Sequence, residues 1–368
     1  MTLIGMFETF LFVSLAITFI LIVFLVYHFK SRITMVEHKC DTMFEIINNI
    51  VAEMNNSQPE IMHNSQLDMQ RDQGVPTYNN KIDVIQSHLL GSNVYCALVG
   101  LITRKPVVAT FHGAVDIGAN ERFKWLKFAA INLGANAIVA VSNSLRENIV
   151  NRTPLRAIKT QVIYNGIKTA DFNCNAVDTL RNKMGWNEGE NIVGSLGNIR
   201  TAKAYDVLLQ AAALLKDHPR SFRFVIAGQG KGDLYDELLK LKSDLGLDDI
   251  VYFLGFNDDP AEFLSNLDFF LLSSSSEGFS IATLQAMAAG LPVIATRSGG
   301  PQEIITHKEN GWLVAPESPP LIADALIKLS NDDALCHRLV KSGKAHVIEN
   351  FDVKNMITSY EKIYRAAM

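Results

Sequence analysis

Residues 273–280 read Ser-Ser-Ser-Ser-Glu-Gly-Phe-Ser, set between the apolar run 269–272 and a helical pattern that begins near Ile281. A carboxylate at such a joint either caps the next helix or accepts hydrogen bonds from a ligand rich in hydroxyls, as a sugar is. Glu277 is that carboxylate, at the carboxyl end of a buried strand, and Gln285 stands eight positions on, on the helix that faces it. A second constellation comes earlier, where Gly197-Asn198-Ile199-Arg200-Thr201-Ala202-Lys203 joins a strand-like run to a helical one. Glycine lets the backbone come close to a ligand. Peptide N–H groups, the helix dipole and the cations Arg200 and Lys203 then converge, as an anionic phosphate site requires. The spacing is not that of a Walker loop.

Composition narrows the choice of chemistry. A formal charge of -4 offers no basic field, so nucleic acid is excluded as a partner. Cys40, Cys96, Cys174 and Cys336 lie far apart, form no Cys-x-x-Cys pair and make no His/Cys cluster with zinc spacing. Free thiols in a reducing compartment are expected, and no metal site.

The elements that must position these loops form two series. Runs 83–88, 106–113, 137–142 and 161–166 are short and β-branched, and helical patterns separate them. In one of those patterns Phe123, Leu126, Phe128, Ala130 and Ile131 are read as covering a sheet. After residue 191 the alternation resumes through six further runs, ending at 311–316. Strand–helix alternation predicts parallel sheets, and two such α/β lobes, joined through residues 159–186, predict a cleft at the carboxyl ends of their strands. His88 ends the first run on that cleft side and is a minor acceptor-side candidate.

The N-terminus differs in kind. Residues 9–27 carry no charge and are long enough to cross a hydrocarbon layer of ~30 Å. A cleavable signal peptide would start basic, whereas here the positive charges, Lys30, Arg32 and Lys39, follow the apolar run. That asymmetry predicts a single-pass anchor with everything after it in the cytoplasm. Ile33, Val36, Cys40, Met43, Ile47, Ile50 and Met54 recur at alternating spacings of 3 and 4, the seam of a short coiled coil that can pair two copies of the chain or lie against another surface. The expected organisation is an anchor at 1–30, a juxtamembrane helix at 31–54, a polar linker at 55–80, a first lobe at 81–186, a second lobe at 187–350 and a C-terminal helix at 351–368.

As a set, "TFHG" (110–113), "VSNS" (141–144), "VIYNGI" (162–167), "GNIRTAKAYDVLL" (197–209), "VIAGQG" (225–230), "FLGF" (253–256), "SSSEGFSIATLQAMAAGLPVIAT" (274–296), "GGPQEII" (299–305) and "NGWLV" (310–314) resemble family 4 of the GT-B glycosyltransferases. The resemblance covers residues 82 to 368. It implies a pair of Rossmann-type lobes and transfer of a sugar from a nucleotide-sugar donor, with retention of configuration, to a glycan or lipid-linked acceptor. It also implies roles. Arg200 and Lys203 neutralise the donor diphosphate, Glu277 holds hydroxyls of the transferred sugar, and His112 meets that sugar from the first lobe. Gly197, Asn198, Gly228, Gly230 and Phe256 lie near the nucleotide, with backbone N–H groups of Gly278, Phe279 and Ser280 against sugar and phosphate. It implies no protein nucleophile, no cofactor and no bound metal.

Three features depart from the family pattern. Gln285 stands where a glutamate usually grips the ribose. Arg200 is three residues before Lys203 rather than five. The first lobe is abbreviated, with four strand runs where the pattern has about three more, including a Gly-Gly turn. A membrane-tethered protein that binds nucleotide-sugar without turning it over is the alternative these departures leave, and an epimerase or phosphorylase of the same fold is a third reading.

Overall fold

Parallel strands need connections long enough to carry the chain back across the sheet, and helices covering both faces leave such strands buried along their length. The computed structural model describes residues 82–117, 123–172 and 177–368. In it the expected runs form two all-parallel sheets. The first has the order β1 (Ile85–His88), β2 (Val107–Phe111), β3 (Ala137–Ala140), β4 (Thr160–Val162). Among the described residues β1 pairs with β2 alone, so its other edge is open.

Helices α1 (Leu90–Thr103) and α2 (Lys124–Gly134) pack together beside this sheet. A Cβ at Gly134 would sit 2.0 Å from the Ala97 carbonyl oxygen, so glycine is what lets the two backbones touch. Of the residues expected to cover the sheet, Phe128 and Ile131 are buried, but Phe123 is 71% and Leu126 48% exposed. The helix begins after Phe123, whose left-handed backbone (φ 54°) leaves it outside the helical turn. Leu126 is two residues from Phe128, about 200° round the helix, and Ala130 is likewise off the buried face. Helix α3 (Asn143–Arg152) follows β3, its first turn capped by Ser142 Oγ, which accepts the Leu145 N–H at 3.1 Å.

Helix α4 (Thr179–Met184) already belongs with the second lobe. Leu180 N–H donates to Asn266 Oδ1 at 2.7 Å, and the buried Arg181 guanidinium meets Asp268 at 3.0 Å. The passage between lobes therefore falls between Ile167 and Val177, earlier than the boundary at 186 read from sequence.

The second sheet has the order β10 (Trp312–Val314), β9 (Val293–Thr296), β8 (Phe269–Leu272), β5 (Asn191–Leu196), β6 (Phe222–Ala227), β7 (Val251–Gly255). Helices α5 (Tyr205–Leu215), α6 (Asp233–Asp244), α7 (Pro260–Ser265), α8 (Ile281–Ala288) and α9 (Pro301–Ile304) make the crossovers, and α10 (Pro319–Ser330) and α11 (Asp333–Asn350) follow β10. The strand order reverses between β5 and β8, and a doubly wound sheet binds ligands in the crevice beyond that switch point.

The chain then returns to the first lobe. Ile167 N–H donates to Phe351 O at 3.0 Å and Val353 N–H to Ile167 O at 2.8 Å. Helix α12 (Val353–Ala367) lays Tyr360 and Ile363 on Val108, Val139 and Ile163. Burying each such side chain contributes roughly 1.5–3 kcal/mol. One apolar core runs continuously from Phe111 and Phe128 in the first lobe to Phe270, Phe279 and Leu284 in the second.

The membrane segment, the heptad helix and the polar linker expected over residues 1–80 lie outside the described residues. Among the described residues no helix is long and apolar enough to cross a membrane.

Candidate active site

The serines at 273–276 tie two loops of the second lobe together. Ser273 Oγ donates to Lys203 O at 2.9 Å and Ser275 N–H to Ala202 O at 2.9 Å, which fixes the 3-10 turn Thr201–Lys203 beside the loop after β8. Ala204 follows in the left-handed conformation, φ 47°, and starts α5 at Tyr205. Within this frame Lys203 Nζ lies 2.7 Å from Glu277 Oε1, and Ser274 Oγ donates to the same oxygen at 2.7 Å. Both charged side chains are largely buried, 20% and 13% exposed. Among the described residues Glu277 Oε2 has no hydrogen-bond partner, so it can accept from a ligand. The helix-capping role belongs to Ser280, whose Oγ accepts the Thr283 N–H at 3.3 Å at the start of α8.

The remaining donor-side residues bring backbone close to backbone. A Cβ at Gly228 would stand 2.0 Å from Gly197 O, and one at Gly230 would meet the Tyr235 ring at 2.5 Å. Asn198 Oδ1 accepts the Gln229 N–H at 2.9 Å, and Ile199 N–H donates to Gln229 O at 2.9 Å, so the loops after β5 and β6 form one unit. A Cβ at Gly197 would be 2.8 Å from Lys203 Cε, hence that lysine crosses the loop only over glycine. Phe256 follows β7 with its ring 73% exposed. Gln285 is half-buried on α8 and makes no side-chain hydrogen bond among the described residues.

Arg200 is parted from this cluster. It is exposed, forms no ion pair among the described residues and borders a groove of about 270 Å³ with Tyr205, Asp206 and Glu237, between α5 and α6. Phe279 is buried between Tyr164 and Phe351, ring centroids 5.4 and 5.6 Å away, which leaves its backbone as the part a ligand could meet.

The first lobe contributes His112 at the end of β2. Asp116 Oδ2 accepts its N–H at 2.7 Å and that of Gly113 at 3.3 Å, which sets the loop. Against this loop lies Gly278 of the second lobe: a Cβ there would be 2.0 Å from His112 O and 2.9 Å from Gly113 Cα. The Glu277 loop and the His112 loop therefore meet across the cleft in van der Waals contact. His112 Nε2 is 2.8 Å from His88 Nδ1, which brings the minor candidate into direct contact with the major one. Burial, and then the neighbouring His88, hold the His112 imidazole below its ordinary pKa, while Asp116 pulls the other way.

Sequence reasoning missed Glu303, inside the "GGPQEII" stretch. Its carboxylate on α9 accepts the N–H groups of Asn143 and Ser144 at 2.7 and 2.8 Å, at the first turn of α3, and the Tyr164 hydroxyl at 2.9 Å. A second-lobe carboxylate thus caps a first-lobe helix. Burial, together with Glu303, pushes the Tyr164 phenol up to about 12. No local signal marks this role, since the partners lie about 160 positions apart. Among the described residues no group of three or more His, Cys, Asp or Glu stands together as a metal site would need.

Comparison with known proteins agrees with this geometry. Residues 176–346 match the family described as Glycosyl transferases group 1, and residues 74–171 match Glycosyltransferase Family 4. The chain is 29% identical over 293 residues to N-acetyl-alpha-D-glucosaminyl L-malate synthase of Bacillus anthracis, a match covering 77% of this chain and 74% of that one. It is 28% identical over 303 residues to an uncharacterized glycosyltransferase of Methanocaldococcus jannaschii, covering 78% and 76%. The crystal structure of Anabaena Alr3699/HepE in complex with UDP-glucose is similar in fold, with a TM-score of 0.70 at 25% identity over 77% of this chain and 79% of that one. Two glycosyltransferase family matches in succession, on a pair of parallel α/β lobes whose loops meet at Glu277 and His112, support the resemblance to the GT-B glycosyltransferases of the group 1, family 4 type.

Proposed function

We propose that this glycosyltransferase moves a hexosyl group from a nucleoside-diphosphate sugar to a hydroxyl of a glycan or lipid-linked acceptor, with retention at the anomeric carbon. The observation that carries the reading is Glu277: one carboxylate oxygen is fixed by Lys203 and Ser274, the other has no partner among the described residues, and its loop touches the His112 loop.

In this reading Glu277 Oε2 accepts a hydroxyl of the transferred sugar. The Lys203 ammonium, with three N–H donors and one given to Glu277, offers the others to the diphosphate. The N–H groups of Asn198 and of the loop at 278–280 add to that field, those of Gly197 and Ile199 being given to Ala227 O and Gln229 O. The bond from the anomeric carbon to the phosphate oxygen breaks as the acceptor oxygen approaches from the same face. The acceptor proton passes to the departing phosphate oxygen, and positive charge builds on the sugar ring. Lys203 stabilises the growing negative charge on the leaving group. The His112 imidazole, held toward its neutral form, closes the sugar side without adding a competing cation. Arg200 can serve only by turning from its present groove. Attachment to the membrane by residues 9–27, with the site on the cytoplasmic side, is part of the same proposal.

The test is to offer the full chain in detergent a panel of UDP-, GDP- and ADP-sugars, UDP-glucose first, and to follow the anomeric proton of the product by NMR. An α product from an α-linked donor is expected, and a β product would overturn retention.

A further inference from the structure

We propose that the acceptor is received in a cavity between the ends of β1 and β2 and the C-terminal helix α12, and that this cavity takes an uncharged, hydroxyl-bearing molecule with an apolar face. The inference rests on the glycosyl-transfer reading and assigns its second substrate a place.

The cavity has a volume of about 530 Å³, within the range of small-molecule sites. One wall is His88 and His112 with Gln86 and Asn165, and the other is α12. His112 is therefore shared: it lines the cavity, and its backbone carries Gly278 of the donor loop. A molecule filling the cavity ends where the transferred sugar begins.

The chemistry of the walls selects the class. Positions 356, 357, 360, 361 and 364 fall on one helical face of α12, and that face bears Met356, Ile357, Tyr360 and Tyr364. The two tyrosine rings lie 6.0 Å apart at 30°, a surface suited to the C–H face of a sugar ring or an apolar aglycone. Opposite that apolar face stand the polar side chains of Gln86, His88, His112 and Asn165, which can orient a hydroxyl-bearing molecule. Among the described residues the lining holds no lysine or arginine, and its one carboxylate, Glu361, is an acceptor for hydroxyls. A phosphate or carboxylate inside would face Glu361 without a counter-ion, so an anionic part of the acceptor must stay outside.

The helix owes its position to bonds that span the whole chain. Thr110 and Tyr360 hydroxyls are 3.4 Å apart, and Gly166 admits Val353, whose Cα would be 2.7 Å from a Cβ there. The acceptor wall is thus built by the segment that follows the second lobe, not by the first lobe alone.

The experiment uses full chain saturated with the nucleoside diphosphate of its donor. Binding of octyl β-D-glucoside and p-nitrophenyl α-D-glucoside, each below any micelle threshold, is followed by saturation-transfer NMR, with glucose 6-phosphate as the anionic comparison. Ile357, half exposed at the cavity wall, is replaced by Trp, and separately Glu361→Arg is made. The expected results are binding of the neutral glycosides by wild type, weakening by about tenfold in Ile357→Trp, and a gain of glucose 6-phosphate binding in Glu361→Arg. Nucleotide binding should be unchanged in both variants. Glycoside binding that is absent from wild type, or indifferent to both substitutions, overturns the assignment. Donor hydrolysis without acceptor, measured beside it, reports on the transferase reading independently.

Discussion

In the second lobe six parallel strands lie between helices, and the loops at the ends of β5, β6, β7 and β8 converge on one crevice. Among the described residues of the first lobe four strands bring one loop, that of His112, against the donor side, β1 has an open edge, and α1 and α2 expose Tyr95, Leu98, Ile102 and Trp125. The second lobe positions Glu277 and Lys203 by local means: serines beside the carboxylate, a 3-10 turn, a glycine under the lysine. The first lobe positions His112 with help from afar, through Gly278 against its backbone and α12 beside its strand. A half-site that depends on distant segments should be the easier one to disturb from a distance.

The largest effect expected is from Glu277→Gln, which removes the charge that Lys203 and Ser274 hold. Turnover of the donor should fall by about 10²–10³ while the fold survives, as steady-state kinetics and a thermal melt would report. Gly278→Val comes next. The new side chain would overlap His112 O, so the lobes must part, and a displacement of about 1 Å costs on the order of 100-fold in kcat/KM. Unchanged kcat/KM in that variant would show that the two loops need not touch during turnover. Glu303→Ala removes the cap that one lobe lends the other. We expect a loss of about 2 kcal/mol in denaturant melts, because the Asn143 and Ser144 N–H groups lose their carboxylate while Ser142 still caps α3, with a smaller loss of activity.

Gln285→Glu sharpens the donor side. A carboxylate at that position should tighten nucleotide binding by about 1 kcal/mol, roughly fivefold by calorimetry. A smaller effect concerns pH. His112 has a folded pKa below its ordinary 6.5, so between the two values the unfolded chain holds more protons. Its contribution to stability is therefore complete above about 6.5 and is lost as pH falls through the folded value. Urea melts between pH 5 and 7 should show a slope that His112→Gln flattens.

Legibility in the sequence followed the same division. The strand runs, the loop at 197–203 and the carboxylate at 277 are contiguous signals, each strand and the turn beyond it lying within about a dozen residues. What stayed hidden is long-range or directional. Glu303 and Asn143 are remote in sequence, as are Tyr360 and Thr110, and nothing local marks either pair. The short spacing from Arg200 to Lys203 already set Arg200 apart from the family pattern but did not say where it goes: it sits in extended backbone (φ -146°) before the 3-10 turn, and Lys203 is the cation paired with Glu277. Phe123 and Leu126 were misread because the start of α2 sets which face is inward, and a left-handed residue ahead of it carries no strong sequence mark.

The central claim is that residues from both lobes form one site, and a double-mutant cycle tests it most directly. Donor turnover is measured for wild type, Glu277→Gln, His112→Gln and the double variant. If the two side chains act on the same sugar, the double variant should lose little more than the worse single one. Losses that multiply would show two independent contributions and contradict the account.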